Sequence, residues 1–494
     1  MINIRKYKRF FEYIPASLVW GTFLIAFLMS FFQPLYAMYF IIIFDLFWLF
    51  RVLYFAVYLF ISWRRYQHAI KTDWLKLCTA SPKFNDLHHL IVLPTVKEDI
   101  EILRTTFESL VASEYPLKEK AIVVLAGEEP FRDTFIENAK IIEKEFGHHF
   151  FKFLYTLHPK GLPNEIPGKG SNIAWAGRKA QELIDQLAIP YDDIIVSAFD
   201  IDTSVHAQYF AAVTHAYLTN PRPTRSSYQP IALYNNNIWD APALVRIAAF
   251  GTTFWLMSEL SRPQRLSTFS SHSMSFRALV DVGFWETDIV TEDSRIFLQC
   301  LLHYNGDYSV VPIYVPVSMD AVVSTSYTQS LVALYKQQRR WAWGIEHFPY
   351  LCIRFYENRH FPFKKKLFYL WTLIEGMYTW ATAPILIFVL GRLPLWVTPE
   401  YLRVSAFYQN TPFTLEKILQ LSMVGVLISA TISLTLLPPR PKHKPLHIAA
   451  TMILQWLLVP VTFTIFGAFP AIDAQTRLLL GKYMGYNVTD KRRK

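Results

Sequence analysis

Cysteine is scarce in this chain. Cys78, Cys300 and Cys352 are the only three in 494 residues, far apart and with no CxxC pair. That argues against a disulfide frame or a zinc site, and for a body held in a reducing, cytosolic compartment. Charge is thin as well: charged residues make up 18%, hydrophobic residues 52%, and the mean hydropathy is +0.20. A wholly soluble chain is rarely so apolar, and the length allows more than one domain. Neither an internal repeat nor a low-complexity segment is present, so no repeat architecture is read. A cleavage site is missing too. The N-terminus is basic and then apolar, but no small-residue site follows Ser30, and a second apolar run starts almost at once. This reads as an uncleaved hairpin of spans rather than a signal peptide.

What is present is apolar length. Segments at about 14–32, 35–63, 367–391, 416–438 and 447–469 each reach the roughly 20 residues needed to cross the hydrocarbon core. The net charge of +10 sits beside them: Arg5, Lys6, Lys8 and Arg9 before the first, Arg64 and Arg65 after the second. Lys364, Lys365 and Lys366 precede the third, and Arg440, Lys442 and Lys444 follow the fourth. Basic clusters that border apolar spans set orientation. The charge therefore argues for a membrane with these ends in the cytoplasm, and against a nucleic-acid partner. The last segment fits less well. If it crosses, the tail Lys491–Lys494 ends outside, against the bias; Pro460 and Pro470 break it, and the stretch through Leu480 is amphipathic. It is either a fifth span or a re-entrant or interfacial segment. The expected organisation is a transmembrane hairpin over 1–65, a soluble domain over 66–345, an interfacial helical region over 346–366 and a transmembrane region over 367–494.

The soluble region alternates strand-like and helix-like stretches. HLIVLP (89–94), AIVVLAG (121–127), FKFLY (151–155) and DIIVSAF (193–199) read as strands; IEILRTTFESLV (100–111) and SNIAWAGRKAQELIDQL (171–187) read as helices. That alternation predicts an α/β domain with a parallel sheet covered by helices on both faces. Such a sheet binds ligands past the carboxyl ends of its strands, where Thr95 to Glu98, Glu128 and Asp200 to Asp202 follow. PRPTRSSYQP (221–230) reads as a connecting loop, and His88–His89 and His148–His149 as surface or strand-end residues.

Four short stretches carry chemistry, each with a plain structural alternative. Asp200-Ile201-Asp202 ends a strand, where two carboxylates and a diphosphate can share a hard cation; a solvated turn also favours Asp. Thr291-Glu292-Asp293 can cap a helix and suit its positive first turn; Asp293 can equally be a general base for an acceptor hydroxyl. In GKGSN (168–172), Lys169 can pair with phosphate and Asn172 orient a neighbouring loop, or the stretch is an N-capping turn. In QQRRWAWG (337–344), arginine forks fit diphosphate oxygens and tryptophan gives a sugar ring a flat face; arginine and tryptophan also both favour headgroup depth. Glu375 falls inside the third span and either lines an acceptor path or serves a hydrogen-bonded structural role.

Taken in order, Thr95…Glu98, Lys169…Asn172, Asp200-x-Asp202, Thr291-Glu292-Asp293 and Gln337-x-x-Arg340-Trp341 resemble the membrane-embedded branch of glycosyltransferase family 2. That is the branch of cellulose, hyaluronan and chitin synthases. The resemblance covers about 85–345 and the flanking spans. It implies a GT-A (Rossmann-like) cytosolic catalytic domain with flanking transmembrane α-helices. It further implies a nucleotide-sugar donor, commonly a UDP-sugar, and a divalent cation, Mg²⁺ or Mn²⁺. By the same resemblance Thr95 and Glu98 contact base and ribose, Lys169 and Asn172 belong to the donor site, and Asp200 lies near the nucleotide. Asp202 ligates the metal, with Asp200 beside it; Asp293 is the catalytic base; and Glu292, Gln337, Arg340 and Trp341 line the diphosphate and acceptor sites. FSSHSMSF (269–276) takes the place of the acceptor-gating loop. Where the family carries a DDG-like turn after the second strand, this chain has VLAGEE, so Glu128 is the carboxylate offered there. The implied activity is inverting transfer to a polysaccharide or glycan acceptor, at a bacterial-type inner or plasma membrane, with export or assembly proteins as further partners. Single transfer to a lipid keeps the fold and changes the product. A non-catalytic export or scaffold protein is the alternative of a different class.

Overall fold

The computed structural model describes residues 4–442, 444–445 and 447–485. The sequon Asn487-Val488-Thr489 and the basic tail Lys491–Lys494 lie outside the described residues. The chain opens with two long helices, α1 (Lys8–Phe32) and α2 (Pro34–Ala69), broken only at Gln33. Pro34 lacks an N–H to donate and so suits the first position of a new helix.

A sheet region follows: β1 (His88–Pro94), α3 (Ile100–Val111), β2 (Ala121–Glu128), α4 (Arg132–Phe146), β3 (Lys152–His158), α5 (Lys169–Gln186) and β4 (Ile194–Ala198). Next come β5 (Ser204–Val205), α6 (Tyr209–Thr219), β6 (Ser226–Leu233), α7 (Ala243–Leu260), β7 (His272–Ser275), α8 (Glu292–His303) and β8 (Ser309–Ser318). The strands form one sheet in the order β3-β2-β1-β4-β7-β6-β8-β5. From β3 to β4 the pairing is parallel, with Val92 opposite Val124 on one side and Ala198 on the other. Leu90, Ile91, Val92 and Leu93 are all fully buried, because helices cover both faces. Each such side chain contributes roughly 1.5–3 kcal/mol of burial.

The sheet is mixed, not wholly parallel as the alternation predicts. β7 runs antiparallel to both β4 and β6, and β5 antiparallel to β8. β7 reads HSMS, with no apolar run to mark it, and what buries it is its place between two other strands. Half of FSSHSMSF, His272–Ser275, is therefore strand rather than loop. PRPTRSSYQP is likewise only half a loop, since β6 begins at Ser226. Pro230 is tolerated there because the β6–β8 register shifts between Pro230 and Ile231. His89 is not at the surface either. It is fully buried in β1, 2.8 Å from Thr214 Oγ1 of α6, and burial pushes its pKa down to about 3.

After the sheet come α9 (Tyr327–Ala342), which carries QQRRW, then α10 (Phe363–Phe388), α11 (Ala406–Thr435) and a helical run ending in α12 (Phe469–Leu479). Among the described residues, four helices are long and apolar enough to cross a membrane: Lys8–Phe32, Pro34–Ala69, Ala406–Thr435 and Ala450–Leu479. Phe363–Phe388 and Leu390–Val397 pass the same test as a pair bent by 44°. Glu375 of α10 forms an ion pair with Arg51 of α2.

Candidate active site

The carboxyl ends of β1, β2 and β4 open toward the starts of α5 and α8. Lys169, the first residue of α5, stands at the centre and is buried. Its Nζ lies 2.7 Å from Asp200 Oδ1, 3.0 and 2.9 Å from the two Asp293 oxygens, and 3.7 Å from Glu292 Oε1. One ammonium thus gathers three carboxylates from two separate elements. Gly170 makes the approach possible. A Cβ there would meet Glu292 Cβ and the Glu286 carbonyl at 3.1 Å, so a larger residue would press α5 and α8 apart by a few tenths of an ångström.

The charges answer one another. Burial opposes the charge of Lys169, but Asp200, Asp293 and Glu292 outweigh it and hold its pKa well above the usual lysine value. Burial, then the adjacent Asp293, pushes the Glu292 carboxyl up to about 8, with Lys169 pulling the other way and Arg340 near enough to help. Thr291 does not cap α8: its Oγ1 is buried without a hydrogen-bond partner. Asp293 is instead fixed through its backbone, whose carbonyl accepts from Thr268 Oγ1 at 2.5 Å.

The raised Glu292 pKa has a sign that can be measured. The native protein keeps a proton that an unfolded carboxyl, near 4.5, sheds. Stability from this group is therefore present below about pH 4.5 and lost as pH rises through 8. Glu292→Gln keeps the neutral shape and removes that slope. The variant's thermal midpoint should gain on the wild type from pH 5 to pH 8 and then level off; a gap independent of pH would show Glu292 ionised throughout.

The DID turn is held from several sides. Asp200 Oδ2 accepts from Ser270 Oγ at 2.6 Å, and the nearly fully buried Asp202 accepts from the Asp320 N–H at 2.9 Å. On the β1 side, Thr95 Oγ1 and the Val96 and Lys97 N–H groups all donate to Glu98 Oε2 at 2.7–3.1 Å. Thr95 N and Asn172 Nδ2 both donate to the Ala126 carbonyl. So Thr95, Glu98 and Asn172 surround the end of β2, and Lys169, Asp200, Glu292 and Asp293 form the carboxylate cluster beside them.

Glu128 is engaged elsewhere. His158, at the end of β3, lies 2.9 Å from both Glu128 and Glu165. Burial works against a charge on His158, yet hydrogen bonds to the two glutamates raise its pKa. Gln337 is buried in α9, and Trp341 packs its ring 5.8 Å from Tyr234, just past β6. Burial first, and then Asp200, Asp202 and Asp293, raise the Tyr234 pKa, which places that ring beside the acidic cluster.

Against this geometry the family model of Glycosyl transferase family group 2 matches residues 195–466, more than half of the chain. The chain belongs to that family. It is a glycosyltransferase, and its mixed α/β sheet is the GT-A arrangement. No curated protein matches it. Among solved structures, a mannosyltransferase from Pyrobaculum calidifontis, in complex with GDP-Man and Mn²⁺, is 14% identical, with 87% of this chain and 100% of that one covered and a TM-score of 0.44. S. aureus TarS 1–349, in complex with UDP-GlcNAc, is 12% identical, with 73% and 98% covered and a TM-score of 0.31.

Around the glycosyltransferase site stand residues that sequence reasoning passed over. Asp320, Tyr234 and His158 follow no spacing that marks them, although Asp320 closes the apolar run of β8 as Asp200 follows that of β4; Ser270 and His272 fall within FSSHSMSF, but nothing in that stretch singles them out individually. His347 is another. Arg295 Nε donates to its Nδ1 at 3.2 Å, so its Nε2 carries the hydrogen given to Ser294 Oγ at 2.8 Å. Burial holds its pKa well below the usual value. This neutral bridge ties the helix of Asp293 to the segment just after Trp341.

Proposed function

We propose that this glycosyltransferase is an integral membrane enzyme that transfers a sugar, with inversion, from a nucleotide sugar to a glycan hydroxyl. The donor we favour is a UDP-sugar, and the catalytic domain faces the cytoplasm. One observation carries the reading: Lys169 holds Asp200, of the DID turn, and Asp293, of TED, within 3.0 Å of a single nitrogen. A metal-side carboxylate and a base-side carboxylate that meet at one cation suit a site where a diphosphate leaves and a hydroxyl attacks.

Asp293 takes the acceptor proton as the hydroxyl oxygen attacks the anomeric carbon. The nucleoside diphosphate departs on the opposite face, toward Arg340, while Lys169 holds the Asp293 carboxylate in place. Thr95, Glu98 and Asn172 hold the nucleoside end, with Glu128 beside them. Trp341 and Tyr234 offer flat faces to a sugar ring, and Gln337 and Glu292 line the same side. Among the described residues no three His, Cys, Asp or Glu side chains form a ready metal cage. The donor set at DID is carboxylate oxygen alone, which suits Mg²⁺ or Mn²⁺ with the diphosphate filling other positions. Asp202 and Asp200 are the residues that would hold the ion, and when bound it neutralises charge on the leaving group.

The membrane reading is supported by the apolar helices before and after the sheet and by the basic residues at their ends. The test is a panel of nucleotide sugars incubated with membranes bearing the full chain, with Mg²⁺ or Mn²⁺, and product mass as the readout. One sugar transferred per acceptor, or a ladder of lengths, distinguishes single transfer from polymerisation. No transfer and no donor hydrolysis with any donor would favour a non-catalytic role.

A further inference from the structure

The last apolar run is long and apolar enough to cross a membrane, yet both of its ends are fastened to the same body. At the start, Lys444 Nζ lies 2.5 Å from Asp240 Oδ1, and Arg246 Nε donates to Gln455 Oε1 at 2.6 Å. At the far end, Arg339 Nη1 donates to Asp473 Oδ2 at 2.8 Å, and Arg9 Nη2 to the Leu479 carbonyl at 2.7 Å. Asp240, Arg246 and Arg339 all lie between α2 and α10, in the part of the chain that carries the active site. Arg9 opens α1. A crossing helix would carry its ends about 30 Å apart along the bilayer normal. For comparison, the turn between α10 and α11 reaches the opposite end of the hairpin, where Phe407 stacks on Tyr39 at 3.9 Å.

The run has two apolar faces. One packs on the enzyme: Trp456 stacks on Phe254 at 5.9 Å, and Phe463 lies where a Cβ on Gly251 would meet it at 3.3 Å. The other face, Leu454, Leu457, Val461 and Ile465, follows helical spacing and is exposed, Leu457 by 72%. Basic residues stand at both ends, with Arg440, Lys442 and Lys444 before, Arg477 in the last turn and Lys482 after. A crossing segment would have this bias at one end only.

We infer that residues 447–479 do not cross the membrane but form a helical strap that lies along the cytoplasmic leaflet, with its outer apolar face seated on lipid tails. This rests on the membrane-embedded reading above. The occupant of the exposed face is the cytoplasmic leaflet, because that face continues the apolar flanks of the spanning helices and is framed by cations that meet anionic headgroups. The strap also carries Asp473, the partner of Arg339, and so sets the QQRRW helix at lipid depth.

The test uses the full chain in sealed right-side-out and inverted membrane vesicles, with native cysteines replaced and one new cysteine at a time. An impermeant maleimide should label Lys71→Cys and Lys482→Cys only in inverted vesicles, and Tyr401→Cys only in right-side-out vesicles. Labelling of Lys482→Cys together with Tyr401→Cys in right-side-out vesicles would overturn the strap and make the run a span. Labelling of Tyr401→Cys together with Lys71→Cys would overturn the membrane hairpin of α10 and α11 instead. A fluorophore on Leu457→Cys should be quenched more by lipid nitroxides near the headgroup than by those deep in the chain; the reverse order would also overturn the strap.

Discussion

Replacing Asp293 by Asn should cut turnover by about a thousandfold while donor affinity stays within a few-fold of wild type. A positioned general base is worth roughly 10²–10⁴ in rate, and an amide cannot take the acceptor proton. The change is small in shape. Lys169 keeps Asp200 at 2.7 Å, and the backbone carbonyl of residue 293 still accepts from Thr268. Loss of rate without loss of donor binding is therefore the signature of the base. Nucleotide release and donor binding on the same purified protein measure it. Turnover within tenfold of wild type would move the base to another residue, and Glu292 is a poor candidate because its raised pKa keeps it protonated near neutrality.

How far this site is legible in sequence follows from how its parts are built. Asp200 and Asp202 stand out because an apolar strand stops and carboxylates begin, a local pattern. Glu292 and Asp293 stand out for the same reason at a helix start, and the arginines and tryptophans of 337–344 by composition. β1 to β4 are legible because burial on both faces demands continuous apolar runs. What is not legible depends on partners distant in sequence. His272 and its polar neighbours form a strand only because β4 and β6 flank them. Pro230 sits in β6 only because the register slips there. His89 looks like a polar flank until Thr214 supplies its hydrogen bond, and His158 has no meaning until Glu128 and Glu165 close on it. The convergence on Lys169 also depends on Gly170, whose role appears only once α8 lies against it. The last apolar run marks the same limit: hydropathy counts apolar residues, while the partners at its two ends decide whether it crosses.

Removing the Lys169 ammonium, in Lys169→Ala, should do more damage than removing any one carboxylate. Asp200, Glu292 and Asp293 would then face one another without the cation that holds them at 2.7–3.7 Å. Breaking a buried pair by deleting one partner costs on the order of 3–5 kcal/mol, because the remaining charge is left uncompensated. Here the ionised Asp200 and Asp293 and the protonated Glu292 meet at that one ammonium, so the loss is expected within that range, eased as the two aspartates take up protons. The thermal midpoint should fall, and it should fall further at pH 8 than at pH 5, since protonation relieves the repulsion. Nucleoside diphosphate affinity should drop as well, unlike in Asp293→Asn. A divalent cation gives the decisive control. If the cluster is built to accept positive charge, Mn²⁺ should raise the variant's midpoint by more than it raises that of the wild type, because the ion takes up charge the ammonium no longer balances. A variant that melts like the wild type, or one that Mn²⁺ helps no more than the parent, would show that Lys169 is not what holds the two halves of the site together.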